Sequence, residues 1–164
     1  MKFQKLSFLV FLLLMIAFGA CNDDNEVDQE KPLIDIGFTD AFPKNCDTIY
    51  FGETFALKLK FSDNFELGSY NISIHHNFDH HSHSTEVTEC SLSPKKEPVN
   101  PLTFIQDFSI PDGTKEFETS EIVEIPDGNE NGLFDDGDYH FFISLTDKEG
   151  WSAQKGLSVK MLHR

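Results

Sequence analysis

The sequence predicts an all-β domain, and two features lead to this expectation. Glycine and proline cluster between short apolar runs, and no long segment has the 3.6-residue period of an amphipathic helix. Several runs instead alternate apolar and polar side chains with a period of two, as strands with one buried face do. The clearest are FALKLKF at 55–61, YNISIHH at 70–76, YHFFISL at 139–145 and LSVKM at 157–161.

A local motif narrows the expected architecture. Residues 135–141 read DDGDYHF, a D-x-G-x-Y-x-apolar pattern similar to the tyrosine corner of immunoglobulin domains. We therefore predict an immunoglobulin-like β-sandwich of about seven strands with Greek-key connections. The expected strands are A at 33–38, B at 54–61, C at 69–76, D at 102–110, E at 117–125, F at 138–146 and G at 155–162.

The N-terminal residues have the features of a lipoprotein signal peptide. Lys2 and Lys5 precede an apolar segment that is short for a membrane span. The following AFGAC, residues 17–21, resembles a bacterial lipobox, so we predict a signal peptide at 1–20 and lipidation of Cys21. Plain secretion with cleavage near Ala20 is the alternative.

The predicted mature chain begins with an acidic tether at 21–31, followed by one domain at 32–164. Acidic residues after the lipidated cysteine resemble the surface-export signal of lipoproteins from Bacteroidetes-type bacteria, although a solvated spacer has the same composition. We expect an outer-membrane lipoprotein at the cell surface, or facing the periplasm, with the membrane as a partner through the anchor.

The net charge limits the possible partners, and the cysteine content indicates a disulfide. The formal net charge of −15 and the lack of a basic patch exclude nucleic acid as an expected partner. Besides Cys21, only Cys46 and Cys90 remain, and a disulfide between them is the default in an oxidising compartment. A Cys₂His₂ metal site is the alternative, but the two cysteines lack C-x-x-C spacing.

Five of the seven histidines lie in HHNFDHHSHS, residues 75–84, within a connection of about 25 residues between strands C and D. Imidazole is the commonest metal ligand, and carboxylates complete or orient such sites. We therefore predict a site for Zn²⁺ or Cu²⁺. Its candidate ligands are His75, His76, Asp79, His80, His81 and His83. A solvated loop and a pH switch are the alternatives.

A seventh candidate ligand comes from strand F. In an immunoglobulin-like sandwich, strands C and F are neighbours in one sheet. If Ile74 and Tyr139 face the core, His75 and His140 project from the same outer face. We therefore predict that His140 lies beside the histidine cluster.

Three segments also resemble a known family. HNFDHH at 76–81, GDYHF at 137–141 and TDKEGW at 146–151 are similar to segments of uncharacterised lipoproteins from Bacteroidetes-type bacteria, a domain of unknown function. The resemblance covers essentially the whole mature domain. It implies an extracytoplasmic immunoglobulin-like domain with its function near the HNFDHH string, and it implies no mechanism.

A second cation site is predicted in DGNENGLFDDGD, residues 127–138. This stretch follows the EF-hand loop pattern as far as its last position, where aspartate replaces glutamate and should weaken Ca²⁺ binding. An acidic turn between strands is the alternative. The candidate calcium ligands are Asp127, Asn129, Asn131, Leu133, Asp135 and Asp138.

Three functions follow from these features. The first is a metal-binding domain without enzymatic activity, and the second is a cell-surface adhesion or glycan-accessory module. Trp151 would contribute to the second, although we expect it to be a packing residue. The third is an enzyme in which the metal activates water and Asp79 is the base.

Overall fold

A computed structural model describes residues 27–164, and all of its regular elements are strands. The predicted signal peptide, Cys21 and most of the predicted tether lie outside the described residues. The all-β class is confirmed over the described range. The strands are β1 (Leu33–Asp35), β2 (Thr48–Tyr50), β3 (Thr54–Ala56), β4 (Lys60–Ser62), β5 (Leu67–His76), β6 (Thr103–Ser109), β7 (Glu116–Glu118), β8 (Ile122–Glu124), β9 (Gly128–Asn129), β10 (Gly132–Leu133), β11 (Gly137–Asp147) and β12 (Ser152–Leu162).

The largest sheet has five strands in the order β2-β12-β11-β5-β6. Its centre is formed by β5, β11 and β12, which pair antiparallel, while β2 joins the edge parallel to β12. The predicted strands C, F and G correspond to these three central strands. The predicted strand D is β6, which pairs antiparallel with β5 at the other edge.

There are two small sheets, β1-β4-β7 and β3-β8. The pairs β3-β8 and β4-β7 share one antiparallel register and are separated by an interruption. Thr119 explains the interruption, because its buried hydroxyl donates to the Leu57 carbonyl (2.7 Å) and accepts from the Leu59 amide (2.8 Å). A side chain thus replaces part of the backbone pairing. For this reason the predicted strands B and E are each divided in two.

The alternating apolar residues meet in one core, as predicted. Side chains from the five-stranded sheet and from the small sheets share a single cluster of buried residues. The exposed fraction is zero for Ile72 and Ile74 of β5 and for Phe141 and Ile143 of β11. Because alternate residues of a strand point to opposite faces, the residues between them face outward.

Tyr139 makes the contacts expected of a tyrosine corner. Its ring is fully buried, its hydroxyl donates to the Asp135 carbonyl (2.7 Å), and the Leu102 amide donates to the hydroxyl (3.3 Å). These bonds tie the start of β11 to the chain entering β6, and so fix the end of the sheet that carries the histidines.

Candidate metal centre

Four imidazole rings meet on the outer face of the five-stranded sheet. They belong to His75, His81, His83 and His140, and their ring centroids lie 4.7–5.9 Å apart in every pairing. Ring nitrogens of His75, His81 and His83 all lie within 4.8 Å of one another. These three residues, called here the histidine triad, could hold a metal ion.

The pairing of β5 with β11 places two of the four rings. His75 and His140 are direct cross-strand partners, and their ring centroids are 5.4 Å apart. The predicted convergence of these two residues is therefore confirmed. Phe142, the next outward-facing residue of β11, lies nearly parallel to the His75 ring at 5.7 Å and limits its movement.

The connection after β5 turns back over the sheet and brings in His81 and His83. It begins with the Asn77 amide donating to the Asp138 carbonyl (2.7 Å). His80 then adopts a left-handed φ of 61°, which reverses the direction of the chain. Because this segment lies over His140, the His140 side chain is only 1% exposed although it points away from the core.

Two contacts hold the returning segment against β12, and a disulfide ties its end to the chain before β2. Thr85 and Gly156 exchange hydrogen bonds, with the Thr85 amide donating to the Gly156 carbonyl (2.9 Å) and the Gly156 amide donating to the Thr85 hydroxyl (3.1 Å). Glu86 forms an ion pair with Lys155 (2.6 Å). The disulfide Cys46–Cys90, predicted from the sequence, joins the end of the segment to the chain before β2.

Gly156 is needed because the segment passes so close to it. A Cβ atom there would lie 2.4 Å from the His83 carbonyl oxygen and 2.8 Å from the Phe142 ring. We expect Gly156→Ala to displace the segment and to lower the free energy of unfolding by about 1–3 kcal/mol, as overpacking does. Urea denaturation would measure the change, with Ser158→Ala on the same strand as the control. An unchanged midpoint in Gly156→Ala would contradict this contact.

Hydrogen bonds fix the orientation of two of the rings. His81 Nδ1 lies 2.5 Å from the Asp79 carboxylate, which leaves Nε2 of His81 free for a ligand. His140 Nε2 donates to the His81 carbonyl (3.1 Å), so its lone pair is on Nδ1, which is buried and has no hydrogen-bond partner among residues 27–164. Asp79 and His140 therefore position the triad from two sides.

The environment lowers the pKa of His75 and of His140 and so favours their uncharged forms. Burial lowers the pKa of His140 to about 4, although the His81 carbonyl acts in the opposite direction, and the neighbouring histidines lower it further. Burial, followed by the charges of His81 and His83, also lowers the pKa of His75. Metal ions bind the neutral form of imidazole, so these shifts favour ligation at neutral pH.

The remaining predicted ligands lie beside the triad or away from it. His76 faces the opposite side of β5, with its ring 4.9 Å from Phe78 of the core. His80 approaches the Asp138 carboxylate (3.7 Å) and lines a cavity of about 490 Å³ next to the triad. His81, His83 and His140 line the same cavity, which connects the triad with solvent.

The predicted calcium loop is a short hairpin, β9-β10, whose acidic side chains have protein partners. Asp135 accepts hydrogen bonds from the Val99 and Asn100 amides, and Asp138 pairs with Lys160 (2.9 Å). Asn129 accepts from the Asn131 amide (2.8 Å). Neither group of close metal-ligating side chains in the described range includes Asp127, Asp135 or Asp138. Calcium binding there stays a prediction.

Two features of the site were not predicted. Gly156 has no local sequence signal, because its role depends on a segment about 70 residues earlier in the chain. A second group of close carboxylates, formed by Asp28, Asp63 and Asp147, comes from three distant segments. Asp147 lies in the TDKEGW stretch, for which we predicted no metal ligand.

The fold and the site together describe an all-β domain with a histidine triad that could hold a metal ion. The disulfide is typical of extracytoplasmic proteins. Within residues 27–164 we find no helix with the length and apolar character needed to cross a membrane.

The chain belongs to a family defined as a domain of unknown function, DUF4625, whose model matches residues 19–162. No curated protein matches the sequence.

Proposed function

We propose that this chain is an extracytoplasmic binding domain that holds a divalent transition metal, Zn²⁺ or Cu²⁺, at His75, His81 and His83. The observation that carries the proposal is the mutual approach of three ring nitrogens to within 4.8 Å. In a tetrahedral zinc site, ligand nitrogens lie about 3.3 Å apart, so small side-chain rotations would complete the geometry. Three protein ligands leave a fourth position for water or for a group from a partner.

Asp79 supports this proposal in a role other than ligand. A carboxylate on the second nitrogen of a ligating histidine fixes the tautomer and raises the basicity of the ring. The 2.5 Å contact between Asp79 and His81 Nδ1 is of this kind. It favours an orienting role for Asp79 over the general base that a metal hydrolase would require.

We further propose an immunoglobulin-like sandwich carried on a lipid anchor. Three observations support the sandwich. They are the strand order β2-β12-β11-β5-β6 of the large sheet, the opposing strands β1, β4 and β7, and the Tyr139 hydrogen bond. The lipobox-like AFGAC at 17–21 supports the anchor, and the acidic residues after it support display at the cell surface of a Bacteroidetes-type bacterium.

A glycan-accessory or adhesion role has less support. Trp151, the only tryptophan, is 40% exposed, but its indole nitrogen donates to the Asp28 carbonyl (3.1 Å). That bond fits a packing residue better than a sugar platform. Pull-down of glycans or proteins with and without EDTA would separate this role from metal binding.

Isothermal titration of the purified protein with Zn²⁺ and Cu²⁺ tests the main proposal. We expect one site, and we expect the double variant His75→Ala/His83→Ala to weaken binding by at least about 100-fold. Asp79→Asn should weaken it by about 10–100-fold, as loss of an orienting partner does. His163→Gln, which removes an imidazole outside the cluster, is the matched control. Equal binding by the double variant and the control would refute the proposal.

A further inference from the structure

Three carboxylates converge at the end of the molecule remote from the histidine triad. Asp28 precedes β1, Asp63 follows β4 and Asp147 ends β11, and one oxygen of each lies within 4.8 Å of the others. Along β11, Asp147 is about 23 Å from His140, by the rise of a strand. This group is therefore separate from the proposed transition-metal site.

In each carboxylate one oxygen accepts hydrogen bonds, and the other has no partner among residues 27–164. Asp28 Oδ1 accepts from the Glu30 amide (3.0 Å) and the Asn64 side chain (2.9 Å). Asp63 Oδ2 accepts from the Phe65 amide (2.7 Å), and Asp147 Oδ1 accepts from the Trp151 amide (2.8 Å). The other oxygens, Asp28 Oδ2, Asp63 Oδ1 and Asp147 Oδ2, are buried and accept no hydrogen bond from the described residues.

A buried carboxylate oxygen that accepts no hydrogen bond has a large desolvation cost. Asp28 is 5% exposed and Asp147 is 4% exposed, so water cannot solvate their charges fully. The hydrogen bond from the Glu30 amide, followed by that from Asn64, lowers the pKa of Asp28 and keeps it ionised. Three like charges this close repel one another unless a cation lies between them.

The neighbouring lysines do not supply that cation. Lys148 pairs with Asp112 (2.5 Å), and Lys115 donates to the Asn64 carbonyl (2.8 Å). Among the ion pairs of residues 27–164, none includes Asp28, Asp63 or Asp147. The charge of this group is therefore not neutralised by an ion pair within the described part of the chain.

We propose that Asp28, Asp63 and Asp147 form a Ca²⁺ site that fastens the N-terminal segment to the domain. Oxygen-only ligands select hard cations. One oxygen of each carboxylate lies within 4.8 Å of the others, and an ion at the centre of three oxygens 4.8 Å apart lies about 2.8 Å from each, so a small closure would give the Ca²⁺ distance of about 2.3–2.6 Å. Mg²⁺ at about 2.1 Å would require a spacing near 3.6 Å and a stricter octahedral geometry.

The proposed ion connects the domain with the chain that precedes it. Asp28 is the only one of the three ligands from the segment before β1, and its carbonyl also accepts the indole N–H of Trp151. Ca²⁺ would therefore fix the direction in which the N-terminal segment leaves the domain.

Terbium luminescence on the purified full chain tests this site directly. Tb³⁺ replaces Ca²⁺ at oxygen sites and emits when a nearby tryptophan is excited, and Trp151 is the only tryptophan in the chain. We expect saturable emission that Ca²⁺ displaces, with affinity at least about tenfold lower in Asp63→Asn and in Asp147→Asn. Glu97→Gln, at an exposed carboxylate before β6 and outside both candidate calcium sites, is the control and should bind as the unmodified protein does.

Thermal melting distinguishes a loss of Ca²⁺ binding from a folding defect in the variant. In EDTA, Asp63→Asn should melt at or above the temperature of the unmodified protein, because it removes one of three repelling charges. Ca²⁺ should raise the melting temperature of the unmodified protein and of Glu97→Gln, but not that of Asp63→Asn. The proposal is overturned if Ca²⁺ leaves the unmodified protein's melting temperature unchanged. It is also overturned if Asp127→Asn, in the predicted calcium loop at 127–138, abolishes terbium emission while Asp63→Asn does not.

Discussion

Replacing both Cys46 and Cys90 with serine is expected to lower the free energy of unfolding by about 4 kcal/mol. The disulfide joins residues 44 positions apart, and a cross-link over such a loop removes much conformational freedom from the unfolded chain. The folded structure should change little, because both ends of the cross-link have other attachments. Cys90 ends the segment that bonds to β12, and the Cys46 amide donates to the Ser158 carbonyl (2.7 Å).

Those attachments also predict how the double variant affects metal binding. The Thr85–Gly156 hydrogen bonds and the Glu86–Lys155 ion pair lie between the histidines and Cys90, and they remain in the variant. We therefore expect a smaller loss of Zn²⁺ affinity than in His75→Ala/His83→Ala. The disulfide mainly stabilises the fold, and the hydrogen bonds to β12 mainly position the triad.

Urea denaturation of the unmodified protein and of the double variant, each with and without a reducing agent, measures the effect. Reductant should destabilise the unmodified protein and leave the variant unchanged. If oxidised protein and variant unfold at the same urea concentration, the disulfide does not contribute the stability expected here.

Much of the sheet could be predicted because periodicity reports which face of a strand is buried. The alternation in YNISIHH and YHFFISL identified β5 and β11 and the side on which His75 and His140 project. The same alternation places His76 on the core side, so a stricter reading of the strand would have separated it from the other candidate ligands. The strands β2, β9 and β10 were not predicted, since two or three residues are too few to show a period.

The geometry of the histidine segment could not be predicted for a different reason. Its path depends on a left-handed residue at His80, on close approach to Gly156 and on attachment at Thr85. None of these follows from spacing along the chain. The carboxylates of Asp28, Asp63 and Asp147 likewise meet only because the fold brings a terminal segment, a loop and a strand end together.

The second large effect concerns pH. In metal-free protein, lowering the pH from about 6.5 to about 4 should remove about 3 kcal/mol of stability through His140 alone. Burial holds the folded-state pKa of His140 at about 4, against an ordinary value of 6.5, because a charged imidazole beneath the histidine segment is poorly solvated. Each unit of difference is worth about 1.4 kcal/mol.

The sign follows from which state binds the proton. Between pH 6.5 and 4 the unfolded chain protonates His140 and the folded chain does not, so acid favours unfolding. Below pH 4 both states are protonated and the loss is complete. Above pH 6.5 neither state is protonated, and His140 makes no pH-dependent contribution.

His140→Gln isolates this effect, because glutamine retains a hydrogen-bond donor for the His81 carbonyl and does not titrate. Stability measured by urea denaturation in EDTA should fall less steeply with acid in this variant than in the unmodified protein. His163→Gln should change the profile in the opposite sense. Burial lowers the pKa of His163, but the Asp127 carbonyl and the Asp136 carboxylate raise it overall, so its contribution is lost as the pH rises. Parallel profiles for His140→Gln and the unmodified protein would mean that His140 is accessible to protons in the folded state, and that the segment carrying His81 and His83 does not cover it in solution.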